Sequence, residues 1–534
     1  MKARKTFIIL SLAAGLISLP IIHSCDPSHL DLKPGTETEA MMFQTEEDFV
    51  SAIIGVYAKL TDFYYFHANN PTHPMWLLPG DDATTAGTSP FESFSGMQPG
   101  QGLLGQYWTA AYQLINRANV VLQKIAEENE VIKTPGLKDN IKGEALFLRG
   151  WAFFGLFNFF GTAPVITERI SSLKEIYPPS STGTQLLDQA IADFQEAAEL
   201  LPVSYPEIQI GRITKDAANG MLGKALVFRA CYDQSTDDYN DAIIAFNKIT
   251  TRSLVADFGA NFDANNENNE ESLFEFQASN APSFENIWLW NDFDIAIGPM
   301  SSYWGFFYGA WSWWNLDNMC IVPSKKLLMK FEPGDPRINE TLDTIPLDHG
   351  NAYRYPPIAF DTDTIKVAFA KYVKRGQEGD VTSSVDNPRI LRYADILLLK
   401  AEAILKSGGN KADAIALINQ IRKRARNSAS PASAVPADYP TSETDENTIM
   451  QWIMDERFLE LCAEEGIRWF DLKRWHAAGY INLANWTADE NGFSSVRTDF
   501  KFSDWYNQTN GEMLFPIPTS EVNANPSIKQ NTGY

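Results

Sequence analysis

The sequence predicts a mostly α-helical fold: a superhelix of tetratricopeptide-like helix pairs, with a loop-rich variable subdomain containing short strands inserted between two helical halves. Three observations lead there. Apolar residues recur at helical spacing over Tyr107–Glu128, Asn140–Phe160, Gln185–Leu201, Lys215–Tyr232, Tyr239–Ile249, Arg389–Lys406, Lys411–Arg424 and Thr448–His476. Small and large apolar residues alternate across two pairs of these regions. Leu222, Gly223, Ala225 and Ala230 lead to Tyr239, Ala242 and Phe246, and Tyr393, Ala394, Ala401 and Ala403 lead to Ala412, Ala414 and Ile418. Small residues let antiparallel helices approach closely, and stacked pairs of this kind bury a continuous core. The period is loose, so unrelated amphipathic helices of an ordinary all-α domain are the alternative on this pattern alone. Finally, residues 257–386 shift to Gly, Pro, Asn and aromatic residues, with strand-like runs at Glu271–Gln277 and Ile365–Val373. That stretch is too long for one structureless loop.

The N-terminus precedes these elements and has its own logic. Lys2, Arg4 and Lys5 are followed by an apolar run from Phe7 to Ile22, the basic and apolar regions of a secretory signal. The run is shorter than the roughly 20 residues of a membrane span and contains Gly15 and Pro20. Ile22, His23 and Ser24 precede Cys25, so residues 1–24 read as a lipoprotein signal and Cys25 as the lipidation site. The alternative is ordinary cleavage near Ser24, which leaves a free N-terminal thiol. Residues 25–45, with Pro27, Pro34 and Gly35, read as a flexible tether. The N-terminal helical region is then 46–256, the variable subdomain 257–386 and the C-terminal region 387–534.

Composition excludes several classes. The formal charge of −23 becomes −26 once Lys2, Arg4 and Lys5 leave with the signal, and such a surface repels phosphate backbones, so no nucleic-acid partner is expected. Beyond Cys25 the cysteines are Cys231, Cys320 and Cys462, too few for a disulfide framework, although one pair is open. The six histidines form no H-E-x-x-H, and the chain has no Gly-rich phosphate loop and no G-x-S-x-G elbow, so no metal, cofactor or catalytic residue is assigned. Asp263–Glu271 resembles a calcium loop in composition, but Asn268 stands where glycine is needed and Phe274 where the closing glutamate belongs. Glu456, Glu460, Glu464 and Glu465, followed by Arg468, read as an ion-pair ladder along one helix rather than as a glycosidase acid and base.

The candidate ligand-binding residues are aromatic and acidic. Six of the 14 tryptophans, Trp288, Trp290, Trp304, Trp311, Trp313 and Trp314, crowd into one stretch with Tyr303, Asn291 and several Gly and Ser residues. A core segment would interleave such rings with aliphatic residues at a regular period. Flat aromatic faces instead suit the C–H faces of sugars, while nearby Asn and Ser satisfy hydroxyl groups. Mutual packing of about half of these rings is the competing reading. Trp76, Asp81 and Asp82 form a second candidate group, in a Gly-flanked loop expected to display its side chains to solvent.

Several motifs in fixed order carry a resemblance over nearly the whole mature chain. They are Trp108 with Asn116 and Asn119, Glu144-Ala145 with Leu148-Arg149, Phe160-Gly161 before Pro164, and Gly211-Arg212 before Thr214-Lys215-Asp216-Ala217. They continue with Leu391-Arg392-Tyr393-Ala394-Asp395, Lys400-Ala401-Glu402-Ala403, Asn419 to Ala425, Glu464 to Trp475, Phe515-Pro516-Ile517-Pro518 and Gln530 to Tyr534. In these the chain resembles the SusD/RagB family of outer-membrane nutrient-binding lipoproteins. The resemblance implies a lipid-anchored, surface-exposed protein at the outer membrane. It would capture a glycan or other nutrient without cleaving it and deliver it to a SusC-like TonB-dependent transporter. A peptide cargo, a purely structural lid and a surface glycoside hydrolase are the alternatives. The motif residues themselves read as fold determinants, with Trp469, Phe470 and Trp475 in the core.

Overall fold

The computed structural model describes residues 42–64, 73–85, 89–94, 96–127, 130–173, 175–278, 321–343, 358–360, 363–365, 368–372, 386–485 and 506–534. Its frame is helical: α1 (Glu46–Tyr57), α2 (Gly102–Glu127), α3 (Leu137–Phe160), α4 (Gln185–Leu200), α5 (Lys215–Asp233), α6 (Thr236–Asn247), α7 (Tyr393–Lys406), α8 (Lys411–Asn427), α9 (Glu446–Glu460) and α10 (Ile467–Ala477). Side-chain caps fix several starts. Thr45 and Asp48 form a reciprocal capping box on α1, and Thr214, Ser235, Asn410 and Asp445 accept amide N–H groups at the starts of α5, α6, α8 and α9.

From α2 to α6 each helix packs on the next. The series continues through α6 onto α7, then α8 and α9, while α10 lies on α5. The helix-pair superhelix therefore runs across the insertion between α6 and α7. Close approach of α5 and α6 depends on Gly223, where an added Cβ would lie 2.3 Å from the Phe246 ring. Trp469, Phe470 and Trp475 are buried, as their apolar context predicts.

Two segments differ from the sequence expectation in kind. Arg389–Arg392 is a strand rather than the first turn of α7, and the helical pattern from Thr448 to His476 is broken into α9 and α10. The break is local chemistry: Ala463, Glu465 and Gly466 all adopt positive φ, a conformation that ends a helix. The ion-pair ladder is corrected by the same break, because Glu464 and Arg468 do not share one continuous helix. The strand run at Ile365–Val373 is also shorter than expected, with Asp363–Ile365 and Ala368–Phe369 as separate pieces.

Among the described residues, eight short strands can be numbered in chain order: β1 (Ala83–Thr85), β2 (Ser272–Glu275), β3 (Ile321–Pro323), β4 (Leu342–Asp343), β5 (Ile358–Phe360), β6 (Asp363–Ile365), β7 (Ala368–Phe369) and β8 (Arg389–Arg392). They form two-stranded antiparallel ladders, β1 with β3, β2 with β8, β4 with β7 and β5 with β6. The β2–β8 ladder positions the insertion. Ser272 faces Arg392 and Glu275 faces Arg389, and just beyond the ladder the Phe276 amide donates to the Pro388 carbonyl at 3.0 Å. The chain thus leaves the frame and re-enters it at adjacent backbone.

Beneath that ladder lies a buried charge network. Glu460 accepts from Arg392 (2.7 Å), Arg337 (3.1 Å) and Arg424. Glu271 accepts from Arg392 and Arg424, both at 2.8 Å, and Glu464 accepts from Arg392 (2.8 Å) and Lys371 (2.7 Å). Glu456 bridges Arg337 (2.6 Å) and Arg422 (2.9 Å), while Asp335 holds the other edge of Arg337 at 2.8 Å. Glu271, which closes the calcium-like run, is thereby turned inward. Burial works against the charge on Glu460, but Arg424, Arg392 and Arg337 hold its carboxyl well below the usual range.

Helix packing at Gly223 gives a direct check. Gly223→Ala should lower stability in urea denaturation by about 1–3 kcal/mol, because the added methyl overpacks against Phe246. Gly105→Ala, on α2 with open space around the position, should leave stability unchanged or raise it by up to about 1 kcal/mol.

Candidate functional site

The candidate ligand residues of the sequence fall into two groups here. Trp288, Trp290, Asn291, Tyr303, Trp304, Trp311, Trp313 and Trp314, together with Cys25 and Cys320, lie outside the described residues. What is described is how the frame holds the residues flanking the aromatic segment. On one side the Ala278 amide donates to the Asn387 side chain at 2.6 Å. On the other, Ile321 pairs with Thr85 in the β1–β3 ladder, and Ser324 donates from its hydroxyl to the Asp81 carbonyl (2.6 Å) and from its amide to the Asp82 carbonyl (2.9 Å).

Trp76, Asp81 and Asp82 are buried, which corrects the expectation that their loop displays them to solvent. Trp76 sits edge-on to Tyr64, with ring centroids 5.4 Å apart, and near Tyr107 at 6.4 Å. Asp81 accepts from Arg468 (2.5 and 3.0 Å) and Lys326 (2.5 Å). Asp82 accepts from the Ala463 amide at 2.8 Å. The loop turns inward because the α9–α10 turn presents an amide and a guanidinium that need acceptors. Arg468, assigned by spacing to Glu464, is committed to Asp81 instead. No local pattern announces that pairing, since the partners are 387 positions apart.

The two neighbouring aspartates titrate in opposite directions. Burial pushes the Asp81 carboxyl up, but Arg468 and Lys326 outweigh it and hold the group at about 2. Burial pushes Asp82 up to about 6, and the charge of Asp81 adds to the rise against the pull of the Ala463 amide. Cys231 and Cys462 are buried free thiols, raised by burial to about 11 and about 12, so neither is a reactive nucleophile. Among the described residues no group of three or more His, Cys, Asp or Glu side chains could hold a metal ion, and no helix is long and apolar enough to cross a membrane.

A frame of stacked helix pairs, interrupted by an insertion pinned at a two-stranded ladder, defines a helical scaffold protein of tetratricopeptide-like type. Solved structures share it. A SusD homolog from Bacteroides thetaiotaomicron superposes with a TM-score of 0.74 at 21% identity, covering 93% of this chain and 99% of its own. A structure titled as a laminarin-binding SusD-like protein gives 0.69 at 23% identity, covering 92% of this chain and all of its own. By sequence, the SusD-like protein P38 of Formosa agariphila is 26% identical over 97% of both chains. The SusD family profile matches residues 349–534, and a second profile, described as starch-binding associating with outer membrane, matches 92–226. The chain belongs to the SusD/RagB family.

The Asp81 pair predicts a stability defect. Asp81→Asn should cost about 3–5 kcal/mol in urea denaturation, because it leaves the largely buried Arg468 without its anion. The pH dependence follows from the signs. Asp81, depressed in the folded protein, contributes stability that is present above its unfolded value of 3.8 and lost as pH falls through about 2. Asp82, raised to about 6, favours the folded state fully below 3.8, and that contribution disappears as pH rises through 6. Between pH 4 and 7 the Asp82 contribution is on the order of 3 kcal/mol. Asp82→Asn should flatten the stability profile across that interval.

Proposed function

We propose that this protein is an outer-membrane surface lipoprotein that captures oligosaccharides without cleaving them and delivers them to a SusC-like TonB-dependent transporter. The observation that carries the reading is the run of aromatic residues from Trp288 to Trp314, placed in sequence between two family-matched helical regions. Its Trp and Tyr faces would stack on sugar rings, and Asn291 and nearby Ser residues would bond hydroxyl groups. The similarity to a structure titled as laminarin-binding, and to a family profile described as starch-binding, supports a glycan over a peptide. Cys25 would carry the lipid, residues 25–45 the tether, 46–256 and 387–534 the frame, and 257–386 the variable subdomain.

Trp76, Asp81 and Asp82 then serve by holding the base of that subdomain, since Asp81 and Asp82 bond Ser324 and Lys326 directly after β3. Titrating laminarin and starch oligosaccharides into the mature protein should change tryptophan fluorescence. Trp311→Ala and Trp313→Ala should weaken the best ligand about tenfold or more, the loss expected for about 1.4 kcal/mol of stacking. No fluorescence response to any oligosaccharide would refute the glycan assignment. Cys25→Ala should release the protein from membranes in fractionation, and its retention there would refute the anchor.

A further inference from the structure

Where α9 turns into α10, the frame forms a partly open pocket of about 30 Å³ that nothing in the proposed function uses. Trp76, Trp151, Phe159 and Phe470 form its apolar wall, and Tyr107, Lys224 and Glu465 are its polar lining. A charged carboxyl in aromatic surroundings needs a compensating cation. Lys224 is paired with Asp395 at 2.8 Å. Arg392 and Lys371 are paired with Glu464, and Arg468 with Asp81. Each of these cations is already committed to another carboxylate.

Glu465 instead accepts a bond from the Tyr64 hydroxyl on one oxygen, and its other oxygen has no partner among the described residues. The side chain keeps some accessible surface. The backbone holds it there against preference, at φ 32° between Ala463 at 57° and Gly466 at 64°.

We propose that this pocket is an internal water-binding site, in which the free oxygen of the Glu465 carboxyl holds a water molecule against the aromatic wall, with Lys224 and Tyr107 as its further polar neighbours. The volume is sufficient for one water, which requires at least about 10–15 Å³, and the polar groups supply the two to four partners that keep such a water bound. An apolar cavity of this size would stay dry. Burial also pushes the Glu465 carboxyl well above its usual range, which favours the protonated form that donates as well as accepts. It can then accept from Tyr64 and donate its proton to the water.

High-resolution crystal structures and infrared difference spectra of the mature protein test this together. Expected are ordered water density within hydrogen-bond distance of Glu465, loss of that density in Glu465→Leu, and its retention in Glu465→Gln. The wild type should also show a protonated carboxyl stretch at neutral pH that Glu465→Gln lacks. An empty pocket in the wild type, or the same water in Glu465→Leu, overturns the site. If Glu465→Leu does not fold, the wild-type density and the Glu465→Gln spectrum still decide. A carboxyl band unchanged by Glu465→Gln refutes the neutral donor.

Discussion

The structure turns on Glu460. Its carboxylate, at the end of α9 and fully buried, is held by guanidinium groups from β8, from α8 and from the short helix Arg337–Thr341 within the insertion. Around it five carboxylates (Asp335, Glu271, Glu456, Glu460, Glu464) face five cations (Arg337, Arg392, Arg422, Arg424, Lys371). That balance is what makes the burial tolerable. Each ion loses hydration worth several kcal/mol, and only full mutual pairing with good geometry offsets the loss. Apolar side chains of similar volume could stabilise such a core as well. They would not dictate which segments meet. Here the insertion has one register on the frame in which Arg337 and Lys371 find carboxylates, and any other leaves buried charges unpaired.

The turn between α9 and α10 follows from this constraint. Three backbone groups there complete the network and its surroundings: the Glu460 and Cys462 carbonyls accept from Lys371, both at 2.9 Å, and the Ala463 amide donates to Asp82. To aim these groups inward the chain adopts positive φ at Ala463 and Glu465, both non-glycine residues. Such conformations cost on the order of 1–3 kcal/mol each and persist only where the surroundings over-determine them. Ion pairs to Glu464 within the turn and Arg468 after it supply that determination.

Local chemistry was legible in the sequence and long-range pairing was not. The long helices announced themselves because their apolar spacing is a property of neighbours along the chain, and Trp469 and Trp475 read as core for the same reason. β8 was misread as helix because Arg389 to Leu391 precede α7 with no breaker, and their strand character comes from pairing with β2 across the whole insertion. Glu464 and Arg468 satisfied a helical spacing rule that the positive-φ residues cancel. Asp81 and Asp82 looked exposed because a Gly-flanked acidic loop usually is. Their burial depends on Arg468 and Ala463, far away in sequence, and no single-sequence pattern encodes that. The aromatic run, by contrast, stood out from composition alone.

The frame and the insertion therefore obey different rules. Among the described residues, the contacts that pin the insertion include those of Asn387, Ser324, Lys326, Arg337 and Lys371, near its base. Both flanks of the stretch between Ala278 and Ile321 are held by the frame, and closure entropy alone would let its length vary at little cost, about 0.6 kcal/mol for a doubling. A change at Arg392 or Glu464 removes partners from several elements at once. Under the proposed function, one scaffold held this way would carry different recognition surfaces. It also separates two kinds of information in the sequence: the charged motif residues specify where the insertion sits, and under the proposed function the aromatic residues would specify what it meets.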